Sequence, residues 1–126
     1  MKNVITIVAV GLLAQMTFAQ QFTLSTGSVL KCYDDVTSLV YTLKVIDEGD
    51  EATQILVKTP HGKTIERIKS KYIDYGQNSE GTYFKILNNK SKYLVGLEVS
   101  NEIMANGIIE GIAYDNGDSR AIECSL

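Results

Sequence analysis

Very few residues of this chain carry side chains that could do covalent chemistry. His61 is the only histidine of the 126 residues, and it lies between Pro60 and Gly62, a sequence typical of a turn. A nucleophile activated by a base would have to be built on that single imidazole. A zinc site would need several histidine, cysteine or carboxylate ligands brought together from separate parts of the chain. We therefore predict a protein that is not an enzyme and that binds no metal or cofactor.

Carboxylates are dense in two short segments, residues 47–51 and 115–118. A calcium loop needs about six or more oxygen ligands at a fixed spacing, closed by a bidentate glutamate. Neither segment has that spacing, so we interpret both as polar hairpin turns.

The two cysteines, Cys32 and Cys124, lie near the beginning and the end of the sequence. In an oxidising compartment an isolated pair of cysteines usually bonds, and two cysteines can pair in one way only. The alternative, a nucleophilic or metal-binding role, lacks a nearby histidine or a second cysteine at close spacing. We predict a disulfide that joins the first strand to the last, since bridged cysteines need neighbouring Cα atoms.

Aromatic and basic side chains are interleaved along the middle of the chain. From residue 58 to residue 92 there are eight Lys or Arg and three Asp or Glu, a balance of +5. Tyrosines beside cations offer apolar area together with charge, as partner-binding surfaces do. The alternative is that the tyrosines pack in the core with their hydroxyls at its rim. The residues that we predict to form a binding surface are Lys69, Lys71, Tyr72, Tyr75, Tyr83, Lys85, Lys92 and Tyr93.

Acidic segments flank this basic centre. The balance is −4 over residues 20–57 and −5 over residues 93–126. The fold can place a positive face opposite a negative one, or the charges can interleave on the surface and cancel. Without Lys2 the formal net charge is −4, which argues against nucleic acid and leaves a protein or a glycan as the expected partner.

The beginning of the chain has the layout of a secretory signal peptide. A single positive charge precedes an apolar run over residues 4–13, and small residues mark a cleavage site between Ala19 and Gln20. The run has about half the length of a membrane-spanning helix, so we predict cleavage and no permanent membrane anchor. The expected parts are a signal peptide over 1–19 and one secreted or periplasmic domain over 20–126.

The rest of the chain alternates between apolar and polar residues and is rich in β-branched and aromatic types, as half-buried strands are. Short pairs that tolerate positive φ, such as Asn116-Gly117, separate the runs. Short connections favour antiparallel neighbours in an up-and-down order. We predict an all-β fold, a small antiparallel barrel of about eight strands with a filled interior, and keep a β-sandwich as the alternative. The predicted strands lie near residues 28–34, 36–47, 52–59, 63–69, 71–75, 82–88, 92–100 and 107–125, the last folded as a hairpin.

Residues 79–83 read Ser-Glu-Gly-Thr-Tyr. This stretch resembles the Ser-Gly-x-x-Tyr loop motif of small periplasmic inhibitors of c-type lysozyme, with the glycine one position later. The likeness covers five residues and does not assign the chain to that family. It implies a single antiparallel barrel with one disulfide near its ends, and inhibition of a secreted enzyme.

The predicted function is a secreted or periplasmic, monomeric, non-catalytic binding module for a protein or glycan partner. Inhibition of a secreted enzyme is one form of that function. The alternative is a carrier of a small ligand, for which the barrel interior would have to be hollow, since a barrel of about eight strands can hold one small ligand.

Overall fold

A computed structural model describes residues 20–21, 29–44 and 54–126. The predicted signal peptide and the acidic segment 47–51 lie outside the described residues. Among the described residues, no helix is long and apolar enough to cross a bilayer.

Nine strands form one antiparallel sheet, which is rolled into a nearly closed barrel. Its strands are β2 (Val29–Asp34), β3 (Leu39–Lys44), β4 (Gln54–Lys58), β5 (Thr64–Ile68), β6 (Ile73–Gln77), β7 (Gly81–Ile86), β8 (Gly96–Ser100), β10 (Ile109–Asp115) and β11 (Asp118–Ser125). A separate small pair joins β1 (Gln20–Gln21) to β9 (Glu102–Ile103). Around the barrel the order is β5-β4-β3-β2-β11-β10-β8-β7-β6. The predicted all-β, up-and-down barrel is confirmed, and each predicted run corresponds to strands in the structure.

The first and last strands of the barrel are neighbours. Cys32 of β2 stands directly opposite Cys124 of β11, and a disulfide joins them. The predicted bridge is confirmed. It lies among the buried side chains of the barrel interior, where both cysteines belong to the core.

The two strands at the ends of the sheet, β5 and β6, behave as halves of one kinked strand. Every pairing between them in the strand order is antiparallel, so β5 and β6 run in the same direction. Four residues, 69–72, connect them, and a short 3-10 turn covers Ser70–Tyr72. The first half pairs with β4 and the second with β7, which leaves eight strand positions around an antiparallel barrel.

Hydrogen bonds across the kink help to close the barrel wall. The backbone N–H of Leu87 donates to the carbonyl of Tyr72 over 2.8 Å. Further along, the Glu66 carboxylate accepts the Ser91 hydroxyl and, over 3.0 Å, the backbone N–H of Lys92. The segment after β7 therefore lies beside β5. It covers the kink where β5 ends and β6 begins, which we call the seam.

Alternate residues of each strand point into the barrel and fill it. The largest fully buried side chains include Tyr41, Phe84 and Leu30, and sixteen buried apolar residues form one cluster. Because large side chains from facing strands meet at the centre, the interior of the described barrel is a packed core.

Candidate functional site

Charged side chains enter one end of the barrel interior. Asp34, the last residue of β2, is fully buried, and its carboxylate accepts the backbone N–H of Val36 over 3.0 Å in the turn to β3. Arg120 of β11 donates from Nε to Asp34 Oδ2 over 2.8 Å and from Nη1 to Asp115 Oδ2 over 3.2 Å. Tyr41 donates its hydroxyl to the same Asp34 oxygen over 3.0 Å.

The electrostatics of this cluster hold its charges in place. Burial alone would raise the pKa of the Asp34 carboxyl, but hydrogen bonds from Arg120, Tyr41 and Val36 outweigh burial and keep that pKa below its ordinary value. Burial would lower the pKa of Arg120, and its bonds to Asp34, Tyr41 and Asp115 raise it instead. Burial also raises the pKa of the Tyr41 hydroxyl, with the Asp34 charge adding to the effect. All three groups keep their neutral-pH protonation state, so the cluster is a structural ion pair.

The predicted Tyr/Lys surface is divided by the fold. Tyr72 lies in the 3-10 turn at the seam, with the Lys71 and Lys90 ammonium groups 5.1 Å and 4.7 Å from its ring centre. The charges of these two lysines lower the pKa of the Tyr72 hydroxyl. An aromatic ring stacks on a ligand through an open face. The Tyr72 ring already has the cations of Lys71 and Lys90 as partners. Lys69 and Lys92 are exposed near the same seam.

The other members of the predicted surface are elsewhere. Tyr75 and Tyr93 are half-buried against the core, and the Tyr75 ring lies 5.4 Å from that of Phe84. Tyr83 and Lys85 project from the outer face of β7, where both line a depression of about 560 Å³. The structure thus brings together Lys71 and Tyr72 at the seam, and Tyr83 and Lys85 on the wall.

A larger groove, of about 750 Å³, crosses the outer face of five adjacent strands, from β2 through β11, β10 and β8 to β7. We call it the wall groove. Two rows of directly opposed residues cross this face. One row is Tyr33, Glu123 and Glu110, and the other is Ala121, Ile112, Glu98 and Tyr83. Apart from Tyr83, all of these residues line the groove.

The wall groove is acidic. Five carboxylates line it, those of Asp35, Glu80, Glu98, Glu110 and Glu123. No lysine, arginine or histidine is among the described residues of its lining. Two large apolar side chains face solvent there, Tyr33 at 48% and Ile112 at 37% exposure. Exposed apolar area among polar residues is typical of a binding surface.

Within the groove, Glu110 and Glu123 stand directly opposite each other on β10 and β11, and both are exposed. Like charges in such a cross-strand pair destabilise the sheet. No described residue forms a salt bridge with either carboxylate. Glu98, by contrast, accepts the hydroxyl of Tyr114 over 2.7 Å, and this bond raises the pKa of that tyrosine.

Close backbone packing lies under the groove. A methyl group on Gly81 would come within 2.1 Å of the Val99 carbonyl oxygen, and one on Gly111 within 2.7 Å of the Glu98 carbonyl oxygen. Neither distance is possible without moving the backbone, so these two glycines let β7 and β10 approach β8 at the floor of the groove.

The described part of the chain contains no cluster of metal ligands. No three histidine, cysteine, aspartate or glutamate side chains come together there in a way that could hold a metal ion. His61 is an exposed residue of the turn between β4 and β5.

Sequence reasoning missed the wall groove, although one signal pointed to it. The balance of −5 over residues 93–126 comes from the segment that supplies three of the five groove carboxylates, Glu98, Glu110 and Glu123. Comparison with protein-family models, with curated proteins and with solved structures gave no match to this chain.

Proposed function

We propose that this protein is a secreted, non-catalytic binding module that holds a protein partner in the wall groove. The observation that carries the proposal is the combination of a 750 Å³ depression in the barrel wall with the exposed side chains of Tyr33 and Ile112. An exposed aromatic ring and an exposed aliphatic side chain that line the same depression supply apolar contact area of the kind that protein interfaces use.

The dimensions favour a protein over a small molecule. Five strands at about 4.8 Å spacing give the groove a length of about 19 Å along the curved wall, which is enough for a segment of a partner chain. A carrier of a small ligand would instead use the interior, where Tyr41 and Phe84 are fully buried in a packed cluster. Such a ligand would have to displace core side chains, and that is costly.

The scaffold under the groove is preorganised. Its floor lies on five hydrogen-bonded strands, and the disulfide joins β2 to β11 within that set. A backbone that is already held in paired strands loses little conformational entropy when a partner docks. A rigid groove of this kind suits a module that binds without catalysis, including one that inhibits a secreted enzyme.

The test is capture of a partner by the disulfide-bonded domain and by matched variants. Ile112→Ala removes an apolar side chain from the groove, whereas Met104→Ala removes one of equal exposure, 37%, that lies outside it. The partner recovered from the protein's own extracellular medium is identified by mass spectrometry and its affinity is then measured with purified components. We expect a loss of about tenfold or more for Ile112→Ala, as for an interface anchor, and little change for Met104→Ala.

A third variant separates the wall groove from the seam. Replacing Lys71 by Glu and Tyr72 by Ala alters the one place where the predicted basic and aromatic residues meet. If this variant loses the partner while Ile112→Ala keeps it, the groove is not the binding surface and the seam is.

A further inference from the structure

We infer that the wall groove binds a cationic segment of the partner protein. This segment is rich in lysine or arginine and extended in conformation. This inference rests on the proposed function and adds the chemistry of the partner. Its first support is charge complementarity, because five carboxylates and no described cation line the groove.

The second support is the opposition of Glu110 and Glu123. Two carboxylates face each other across one antiparallel pair, and no salt bridge with a described residue relieves either of them. The arrangement costs stability in the free protein. A cation placed between the two carboxylates would remove the repulsion and gain two ion pairs, so the free protein is poised for a positively charged side chain.

The third support is the apolar surface beside these charges. Tyr33 stands directly opposite Glu123, and the next row contains Ala121 and Ile112. Lysine and arginine have an aliphatic stem that packs on apolar surface and a charged head that seeks a carboxylate. The Tyr33 ring, half exposed, can also attract the head through a cation–π contact. The groove therefore offers a place to both parts of such a side chain.

The size of the groove sets the length of the segment. At about 3.3 Å per residue, an extended chain of about six residues covers the ~19 Å from β2 to β7, measured along the curved wall. A free divalent cation is a poorer occupant, since no three described carboxylates come together as a metal site. The inference therefore concerns a peptide segment.

The probe is fluorescein-labelled hexalysine, with labelled hexaglutamate as the opposite charge, measured by fluorescence anisotropy on the disulfide-bonded domain. The test variant is Glu110→Gln with Glu123→Gln. The control variant is Asp74→Asn with Glu102→Gln, which removes two exposed carboxylates that do not line the groove. Both variants change the net charge equally.

We expect the wild-type domain to bind hexalysine, the groove variant to bind it about tenfold more weakly and the control to stay within about twofold, because two ion pairs are lost only in the first. Raising the salt concentration should weaken binding to the wild type most. Equal losses in both variants, equal binding of hexaglutamate, or displacement of the peptide by millimolar CaCl₂ would each overturn the inference. Removal of the Glu110–Glu123 repulsion should leave the melting temperature unchanged or raise it. Measuring that temperature for the groove variant therefore excludes unfolding as the cause of weaker binding.

The same variants distinguish this inference from the proposed function. If Ile112→Ala loses the captured partner while the two glutamine substitutions keep it, the groove binds a protein and the inference of a cationic segment is wrong. If neither variant affects capture, the groove itself is not the binding surface.

Discussion

At the scale of single residues, two sets of carboxylates in this protein differ in how their charges are compensated. Inside the barrel, Asp34 has Arg120, Tyr41 and two backbone N–H groups as partners, so its charge is fully compensated. On the wall, Glu110 and Glu123 face only each other among the residues that pair with them across β10 and β11. A compensated carboxylate stabilises the fold, whereas an uncompensated pair stores repulsion that a ligand can relieve.

We predict that Asp34→Asn destabilises the domain by about 3–5 kcal/mol at neutral pH, because the change leaves the largely buried Arg120 charge with Asp115, whose side chain is 36% exposed, as its remaining ionic partner among the described residues. The Arg120 side chain is only 10% exposed, and its Nη2 already lacks a hydrogen bond to any described residue. Urea unfolding followed by circular dichroism measures the loss. Adding Arg120→Met to the variant should recover part of this loss, since the double variant no longer buries the Arg120 charge. A double variant no more stable than Asp34→Asn would contradict this.

The ion pair between Asp34 and Arg120 also predicts how the stability of the domain changes at acidic pH. The pKa of Asp34 lies below its ordinary value of 3.8, so the stability it contributes is complete above that value and is lost as the pH falls through the lower, folded-state pKa. The difference in unfolding free energy between the wild type and Asp34→Asn should therefore be constant from pH 7 to pH 5 and should narrow below about pH 4. A difference that stays constant down to pH 2 would show that this carboxylate does not carry the effect.

At the scale of elements, alternation of apolar and polar residues was enough to place the strands, because each strand buries one face. It also placed the disulfide, since the closure of a barrel by its first and last strands brings Cys32 to Cys124. The kink between β5 and β6 was not predictable in detail. Tyr72 was expected inside a strand, yet it lies in a 3-10 turn, where alternation does not apply.

The wall groove could not be predicted because no local pattern marks it. Its carboxylates lie on separate strands and loops, and each of them is an ordinary outward position of an amphipathic strand or a turn. Only the register between β10 and β11 shows that Glu110 faces Glu123. That register follows from the two-residue turn at Asn116-Gly117, because a hairpin turn fixes how its two strands pair. The register of β8 and β2 against this hairpin depends instead on long-range packing, which a single sequence does not specify.

We predict that Gly81→Ala destabilises the domain by about 1–3 kcal/mol, as overpacking does, because the new methyl group would meet the Val99 carbonyl at 2.1 Å. Gly96→Ala is the matched control, since its methyl group would lie 3.2 Å from the nearest atom, the Phe84 carbonyl oxygen. Thermal melts of both variants compare the two effects. If Gly96→Ala costs as much as Gly81→Ala, close approach at the groove floor is not the reason for the glycine at position 81.

At the scale of the whole molecule, charge is distributed around the barrel by strand order. The basic middle of the sequence contributes β5, β6 and β7, whose own charges cancel. Its excess of cations lies mostly in the connections between strands, and Lys71 and Lys90 are at the seam. The acidic C-terminal part contributes β8, β10 and β11, which lie in the middle of the sheet. In the rolled sheet β11, at the centre of the strand order, is four strands from the seam in both directions, so the charges of the two segments do not simply cancel.

The disulfide is predicted to be a major contributor to the stability of this small domain. It closes a loop with a sequence separation of 92 residues, for which loss of unfolded-state entropy gives about 4–5 kcal/mol. Reduction should lower the melting temperature by about 10–20 °C. Calorimetry with and without a reductant measures the change, and thiol titration of the native protein should find no free cysteine. A melting temperature unaffected by complete reduction would mean that strand pairing alone closes the barrel.

The bond between Cys32 and Cys124 also makes almost the whole domain a covalent ring. A protease that cuts any one turn between these residues, such as the exposed turn around His61, opens the ring without releasing a fragment. The two pieces remain tethered next to each other and stay paired through the strands on either side of the cut. In an environment that contains proteases, such a molecule would survive a first cleavage in one piece, and only a second cut within the ring could set a segment free.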